Sequence, residues 1–153
     1  MKRIEVKLSL PVVAPLLDVI RELAAGLDDT LAAPQPLTLL DAELREGWVS
    51  ELIKGQQSDV KTLLSLFDEE FFSEGVVAFD ETNAEAIVRA CSAVRLRLRE
   101  QHLRAMGDES LESGDVDLST LTDGLRKAFM CYLFLATVQE LIIQHLDTTI
   151  LES

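Results

Sequence analysis

The segment from residue 120 to 147 constrains the fold most, because its apolar side chains point in every direction around a helix. At about 100° per residue, the apolar residues between Leu125 and Leu146 leave no polar face. A helix that is apolar on all sides has to be surrounded by other elements. We therefore predict a mainly α-helical single domain over residues 1–153, with this C-terminal helix at its centre.

The apolar spacing and the capping signals predict about five helices in this bundle. Besides 120–147, they are expected over 12–25, from Thr38 to about Lys54, over 59–73 and over 81–106. Gly55 is predicted to end the second of these helices, and Ser58 to cap the third. The acidic, glycine-containing stretch 107–118 is typical of a surface loop.

Two short segments predict a small two-stranded β element. Residues 3–10 alternate between apolar and polar side chains, which is typical of a half-buried strand, and Pro11 is expected to end it. Residues 76–79 form a second β-prone run. Because a lone strand would leave its backbone groups unpaired, we expect the two segments to pair with each other.

The charge balance limits the partners that this chain can bind. It has 27 acidic and 14 basic residues, which gives a net charge of −13. Such an acidic surface repels phosphate backbones, so we expect no nucleic-acid partner. The longest apolar run, residues 128–136, is shorter than the ~18 residues of a membrane span, and the N-terminus does not read as a secretory signal. These features predict a cytoplasmic protein with no membrane partner.

Helix 81–106 is rich in arginine, and three interpretations of its arginines stay open. The first is a buried ion pair between Arg95, at the edge of the core stripe, and Glu140 of the C-terminal helix. The second is an anion-binding site for phosphate or carboxylate, formed along one edge of the helix by Arg95, Arg99 and His102.

The third interpretation is an interface with another chain. Leu96 and Leu103 lie seven residues apart on nearly the opposite side from the core, flanked by Arg97 and Arg104. Arginine and large apolar side chains are enriched at protein interfaces. This interface and the ion pair can coexist.

Catalytic and metal-binding patterns are not found in the sequence. Cys91 and Cys131 lie in apolar helical stretches and are expected to be buried thiols. His102 and His145 do not have the spacing of zinc ligands, and the acidic runs do not match a calcium loop. The single tryptophan, Trp48, has helical spacing with apolar neighbours and is predicted to be part of the core. We therefore expect no catalytic residue, no metal and no cofactor.

Three segments resemble a known family. They are FFSEGVV at residues 71–77, RACSAVRL at 89–96 and YLFLATVQE at 132–140. These segments are similar to the uncharacterised bacterial family DUF2017, and the resemblance covers most of the chain. It implies a bacterial, cytosolic helical protein, and it carries no catalytic residue over to this chain.

These observations favour a non-enzymatic helical interaction or regulatory domain. We expect it to self-associate as a homodimer or to bind another protein. The alternative is a small-molecule or anion-binding domain, with or without enzymatic activity, that uses the Arg and His edge of helix 81–106.

Overall fold

The N-terminal strand pairs with a strand from the middle of the chain. In the computed structural model, which describes residues 3–27, 42–104, 106–114 and 116–146, β1 (Arg3–Lys7) runs antiparallel to β2 (Val76–Asp80). Val6 pairs with Val77 in this ladder. The mainly helical class with a small two-stranded sheet is thus confirmed, with a first strand shorter than predicted.

The first helix begins earlier than predicted, because Pro11 belongs to it. α1 (Leu10–Gly26) follows Ser9, and Pro11 lies in its first turn, where a missing N–H group breaks no hydrogen bond. The prediction that Pro11 ends β1 is therefore wrong, since β1 already ends at Lys7. The inner face of α1 is buried.

The second helix is continuous where the sequence predicted two helices. α2 (Ala42–Leu64) passes through Gly55 and Ser58 without a break. Glycine is only about 1 kcal/mol worse than alanine inside a helix, and burial of Val60 and Leu63 on the next turns outweighs that cost. The predicted start at Thr38 lies outside the described residues.

The remainder of the predicted helix 59–73 forms a separate short helix. A turn after Leu64 leads to α3 (Glu69–Glu74), whose first turn is capped because the Asp68 carboxylate accepts a hydrogen bond from the Phe71 N–H at 3.2 Å. Gly75 then ends α3 in the left-handed conformation, with φ 73°. This turn brings the chain directly into β2.

The C-terminal half contains the helices that build the core. α4 (Ala84–Gln101) leads through a turn to the short α5 (Asp108–Ser113), which lies in the predicted loop. A single 3-10 turn, Leu118–Thr120, precedes α6 (Asp123–His145). Thr122 caps α6, because its hydroxyl accepts a hydrogen bond from the Leu125 N–H.

α6 packs against both α4 and α1, and α4 in turn packs against α2. Leu135 and Ile142 of α6 are fully buried, whereas Ile143 is 47% exposed, so this apolar helix keeps one open side. By length and composition α6 could also cross a membrane, although 44% of its apolar window is buried within this fold. Core helices of globular proteins pass the same test.

Candidate interaction surface

Arg95 contacts neutral partners on α6 and does not pair with Glu140. Its Nη1 donates a hydrogen bond to Gln139 Oε1 at 2.7 Å, and its Nη2 donates to the Tyr132 hydroxyl at 3.1 Å. The guanidinium also lies over the Tyr132 ring, 4.5 Å from the ring centroid. Glu140 is exposed and accepts a hydrogen bond from Gln144 at 3.0 Å. The predicted Arg95–Glu140 ion pair is therefore wrong.

Gln139 takes the buried position that was predicted for Glu140. Its side chain is 8% exposed, and its amide donates hydrogen bonds to the Val88 carbonyl at 2.8 Å and to the Ser92 hydroxyl at 2.7 Å. Together with the bond from Arg95, this amide links α4 to α6. The signal was present in the sequence, because Gln139 is a polar residue within an apolar helix.

The residues that were predicted to bind an anion do not lie at one site in the structure. Arg95 points to α6, whereas His102 lines a cleft of ≈ 430 Å³ together with Glu22 of α1 and Lys127 of α6. Neither Arg95 nor Arg99 lines that cleft. The cleft therefore does not bring together the three side chains that were predicted to hold an anion.

The predicted Leu96–Leu103 stripe is broken, because α4 ends five residues earlier than predicted. After Gln101 the chain turns inward, the Leu103 N–H bonds to the Leu98 carbonyl at 3.0 Å, and Leu103 is 1% exposed. Arg104 is exposed beyond this turn, and Arg97 is half-buried on α4. Of the two leucines, only Leu96 is accessible to a partner, with 41% of its surface exposed.

Both cysteines are unsuited to nucleophilic chemistry at neutral pH. Cys91 and Cys131 are buried free thiols on α4 and α6. Burial raises the pKa of each thiol to about 12, so almost no thiolate is present near pH 7. Among the described residues, no group of three or more His, Cys, Asp or Glu side chains could hold a metal ion.

Trp48 lies on the surface, and the prediction that it belongs to the core is wrong. None of residues 44–59 of α2 is buried, and the buried positions of this helix begin at Val60. Trp48 is 54% exposed, and Leu44, one turn earlier on the same side, is 61% exposed. The first half of α2 therefore presents two large apolar side chains to solvent.

A groove lies between α2 and α4, one turn of α2 beyond Trp48. It has a volume of ≈ 330 Å³, and its central lining residues are small: Gly55 of α2 with Ala90 and Ala93 of α4. An ion pair closes one end, where Arg89 Nε meets Asp59 Oδ2 at 2.9 Å. The further lining residues are Glu51, Leu52 and Gln56.

By helix geometry, the exposed apolar residues lie on the same sides of α2 and α4 as the groove. Trp48 and Leu44 lie within about 40° of Gly55 around the axis of α2, and Leu96 lies within about 60° of Ala93 around the axis of α4. Because the groove runs from Asp59 towards Leu52 on α2, its continuation leads to Trp48. We call this area, defined by Leu44, Trp48, Gly55, Ala93 and Leu96, the Trp48 surface.

A wider opening of ≈ 570 Å³ lies around the other side of α2, next to Val49 and Ile53. All of its described lining residues belong to α2, so the described part of the chain does not enclose a ligand there.

No protein-family model, curated protein or solved structure matches this chain. The resemblance to the DUF2017 family therefore stays a prediction.

Proposed function

We propose that this chain is a non-enzymatic protein-interaction domain and that the Trp48 surface is its binding surface. One observation carries the proposal: the single tryptophan of the chain is more than half exposed, on the side of α2 that lines a groove containing Gly55, Ala90 and Ala93. Exposed apolar side chains grouped around a groove mark binding surfaces. Tryptophan is enriched among the residues that dominate binding energy.

The shape of the surface favours a helical partner. The groove runs between two packed helices, and its small residues allow a partner's backbone or a large side chain to approach closely. Binding of an apolar helix face in such a groove is a recurring mode of protein recognition. Because both cysteines are buried free thiols, we propose that the domain works in the reducing environment of the cytoplasm.

The alternative, an anion-binding domain, has less support. Its central residue, Arg95, already donates hydrogen bonds to Gln139 and Tyr132, so an anion would have to displace these partners.

Site-specific photo-crosslinking in living cells tests the proposal. A photo-reactive phenylalanine analogue at position 44 keeps Trp48 intact, and the same analogue at position 143, which is also exposed but lies on α6, is the matched control. We expect a discrete protein adduct from position 44 in several-fold higher yield than from position 143. Equal yields from the two positions would contradict the proposal.

A further inference from the structure

We infer that the occupant of the Trp48 surface is a second copy of this chain, with each Trp48 side chain inserted into the groove of the other copy. The inference rests on the proposed function and specifies its partner. The arrangement has two-fold symmetry, so the same residues of both chains meet at one interface.

The surface carries both halves of a self-complementary contact. A two-fold interface requires that one patch present a projection and a matching recess to its own copy. Trp48 is the projection, and the groove over Gly55, Ala90 and Ala93 is the recess. A dry cavity of about 150 Å³ holds benzene, so a groove of ≈ 330 Å³ has room for an indole ring.

The spacing along α2 defines how the two copies face each other. Trp48 and Gly55 are seven residues apart, which is about 10 Å along the helix axis. Reciprocal insertion therefore aligns the two α2 helices antiparallel, and the symmetry axis passes midway between Trp48 and Gly55. Glu51 and Leu52 lie on either side of this midpoint.

The local charge favours contact between copies at this place. Two chains that each carry a net charge of −13 repel one another over most of their surfaces. Between residues 44 and 54, however, Arg45 and Lys54 balance Glu46 and Glu51, so this part of α2 has no net charge. An acidic chain therefore meets less repulsion here than its average surface charge would cause.

Two variants of the full chain remove the projection and the recess separately. Trp48→Ala deletes the indole, and Gly55→Leu fills the groove. A Cβ atom at Gly55 would meet nothing within 4 Å, so the first atom of the new side chain causes no clash within one chain. Gly47→Leu is the matched control, because Gly47 is equally unobstructed on α2 but lies about 100° away from Trp48 around the helix.

Sedimentation velocity across a wide concentration range measures the association. We expect the wild type and Gly47→Leu to form dimers, and both Trp48→Ala and Gly55→Leu to weaken dimerisation by at least ~10-fold, as expected for a central contact of an interface. Thermal melts are expected to show all variants folded. A chain that stays monomeric at every concentration, or a Gly55→Leu variant that dimerises like Gly47→Leu, would overturn the inference.

Mixing the two defective variants tests reciprocal insertion directly. Gly55→Leu retains its tryptophan and Trp48→Ala retains its groove, so a heterodimer regains one of the two insertions. We expect the mixture to associate more tightly than either variant alone. Mixtures that associate no better than the separate variants would overturn the reciprocal arrangement.

The proposed function and this inference fail in different ways. A monomeric chain whose position 44 still crosslinks to another protein overturns only the inference. A chain whose position 44 crosslinks no more than position 143 overturns both.

Discussion

Removal of the buried Gln139 side chain is expected to lower the unfolding free energy. Gln139→Ala removes the oxygen that accepts a hydrogen bond from Arg95. It also removes the buried amide that donates to the Val88 carbonyl and the Ser92 hydroxyl. Loss of such a bonded group costs about 1–3 kcal/mol of unfolding free energy. Urea denaturation followed by circular dichroism measures this cost.

Glu140→Ala is the matched control for this prediction, because Glu140 is the next residue but is exposed. We expect it to change the unfolding free energy by less than about 0.5 kcal/mol, as for ordinary surface substitutions. A larger loss of unfolding free energy for Glu140→Ala than for Gln139→Ala would mean that α6 is rotated about its axis, with Glu140 facing α4.

The buried thiols predict how stability changes at alkaline pH. Burial raises the pKa of Cys91 and Cys131 from 9.0 to about 12, whereas in the unfolded chain both keep their ordinary pKa. Above pH 9 the unfolded state therefore loses protons that the folded state retains. This lowers the unfolding free energy as pH rises towards 12, by up to about 1.4 kcal/mol per pH unit and thiol.

Denaturation at several pH values between 8 and ~11 measures this slope. A variant with both cysteines replaced by alanine provides the comparison, because other groups titrate in the same range. We expect the slope of the double variant to be shallower than that of the wild type. Identical slopes would show that the thiols are accessible to water in the folded chain.

At the residue scale, the sequence identified the important position on α4 but not its partner. The helical spacing correctly put Arg95 at the edge of the core stripe. Gln139 and Glu140 point about 100° apart, and the rotation of α6 against α4 decides which of them faces inward. That rotation follows from the packing of the whole interface, so spacing within α6 could not reveal it.

At the level of elements, two glycines are expected to respond in opposite ways to alanine. Gly55→Ala adds a methyl group in open space inside α2 and is expected to raise the unfolding free energy by up to ~1 kcal/mol. Gly75 has φ 73°, and a Cβ atom there would lie 2.7 Å from the Leu8 carbonyl oxygen. Leu8 follows β1 and donates its N–H to the Gly75 carbonyl just before β2. Gly75→Ala is therefore expected to lower stability.

Thermal melts of the two variants under identical conditions check this pair. If Gly75→Ala proved as stable as the wild type, the left-handed turn before β2 would not be present in solution. If Gly55→Ala proved destabilising at concentrations where the chain is monomeric, α2 would not be continuous at this glycine.

The same contrast explains which elements could be predicted. The strand pairing was predictable, because alternating polarity and two short β-prone runs leave few ways to pair backbone groups. The continuity of α2 was not, since a glycine signal is worth about 1 kcal/mol and can be outweighed by burial elsewhere on the helix. The exposure of Trp48 could not be predicted from the sequence for a related reason. Its apolar spacing with Leu44 matched a core stripe, but the buried face of α2 begins only at Val60.

At the scale of the whole molecule, the net charge makes the proposed dimer sensitive to salt in a definite direction. Two chains of charge −13 repel each other, and added salt screens this repulsion as the Debye length falls from about 30 Å at 0.01 M to about 8 Å at 0.15 M. We expect the dissociation constant of the dimer to decrease over this range.

Tryptophan fluorescence measures this dissociation constant, because Trp48 is the single tryptophan of the chain. Its emission is expected to shift to shorter wavelength when the side chain enters the groove of the other copy. Titrations at low and at moderate salt give the two dissociation constants. Weaker association in salt would indicate an interface held by opposite charges, in contradiction to an apolar contact between two acidic chains.

The hydrogen bonds of Gln139 also fix how α6 is aligned along α4. Sliding α6 along α4 by one turn, about 5.4 Å, would exchange one set of aliphatic neighbours for a similar one. The same slide would carry the Gln139 amide away from Val88 and Ser92 and leave the Arg95 guanidinium against hydrocarbon. Since α1 packs on both helices and α2 packs on α4, the hydrogen bonds of this one amide favour a single alignment of α6 and α4 within the bundle.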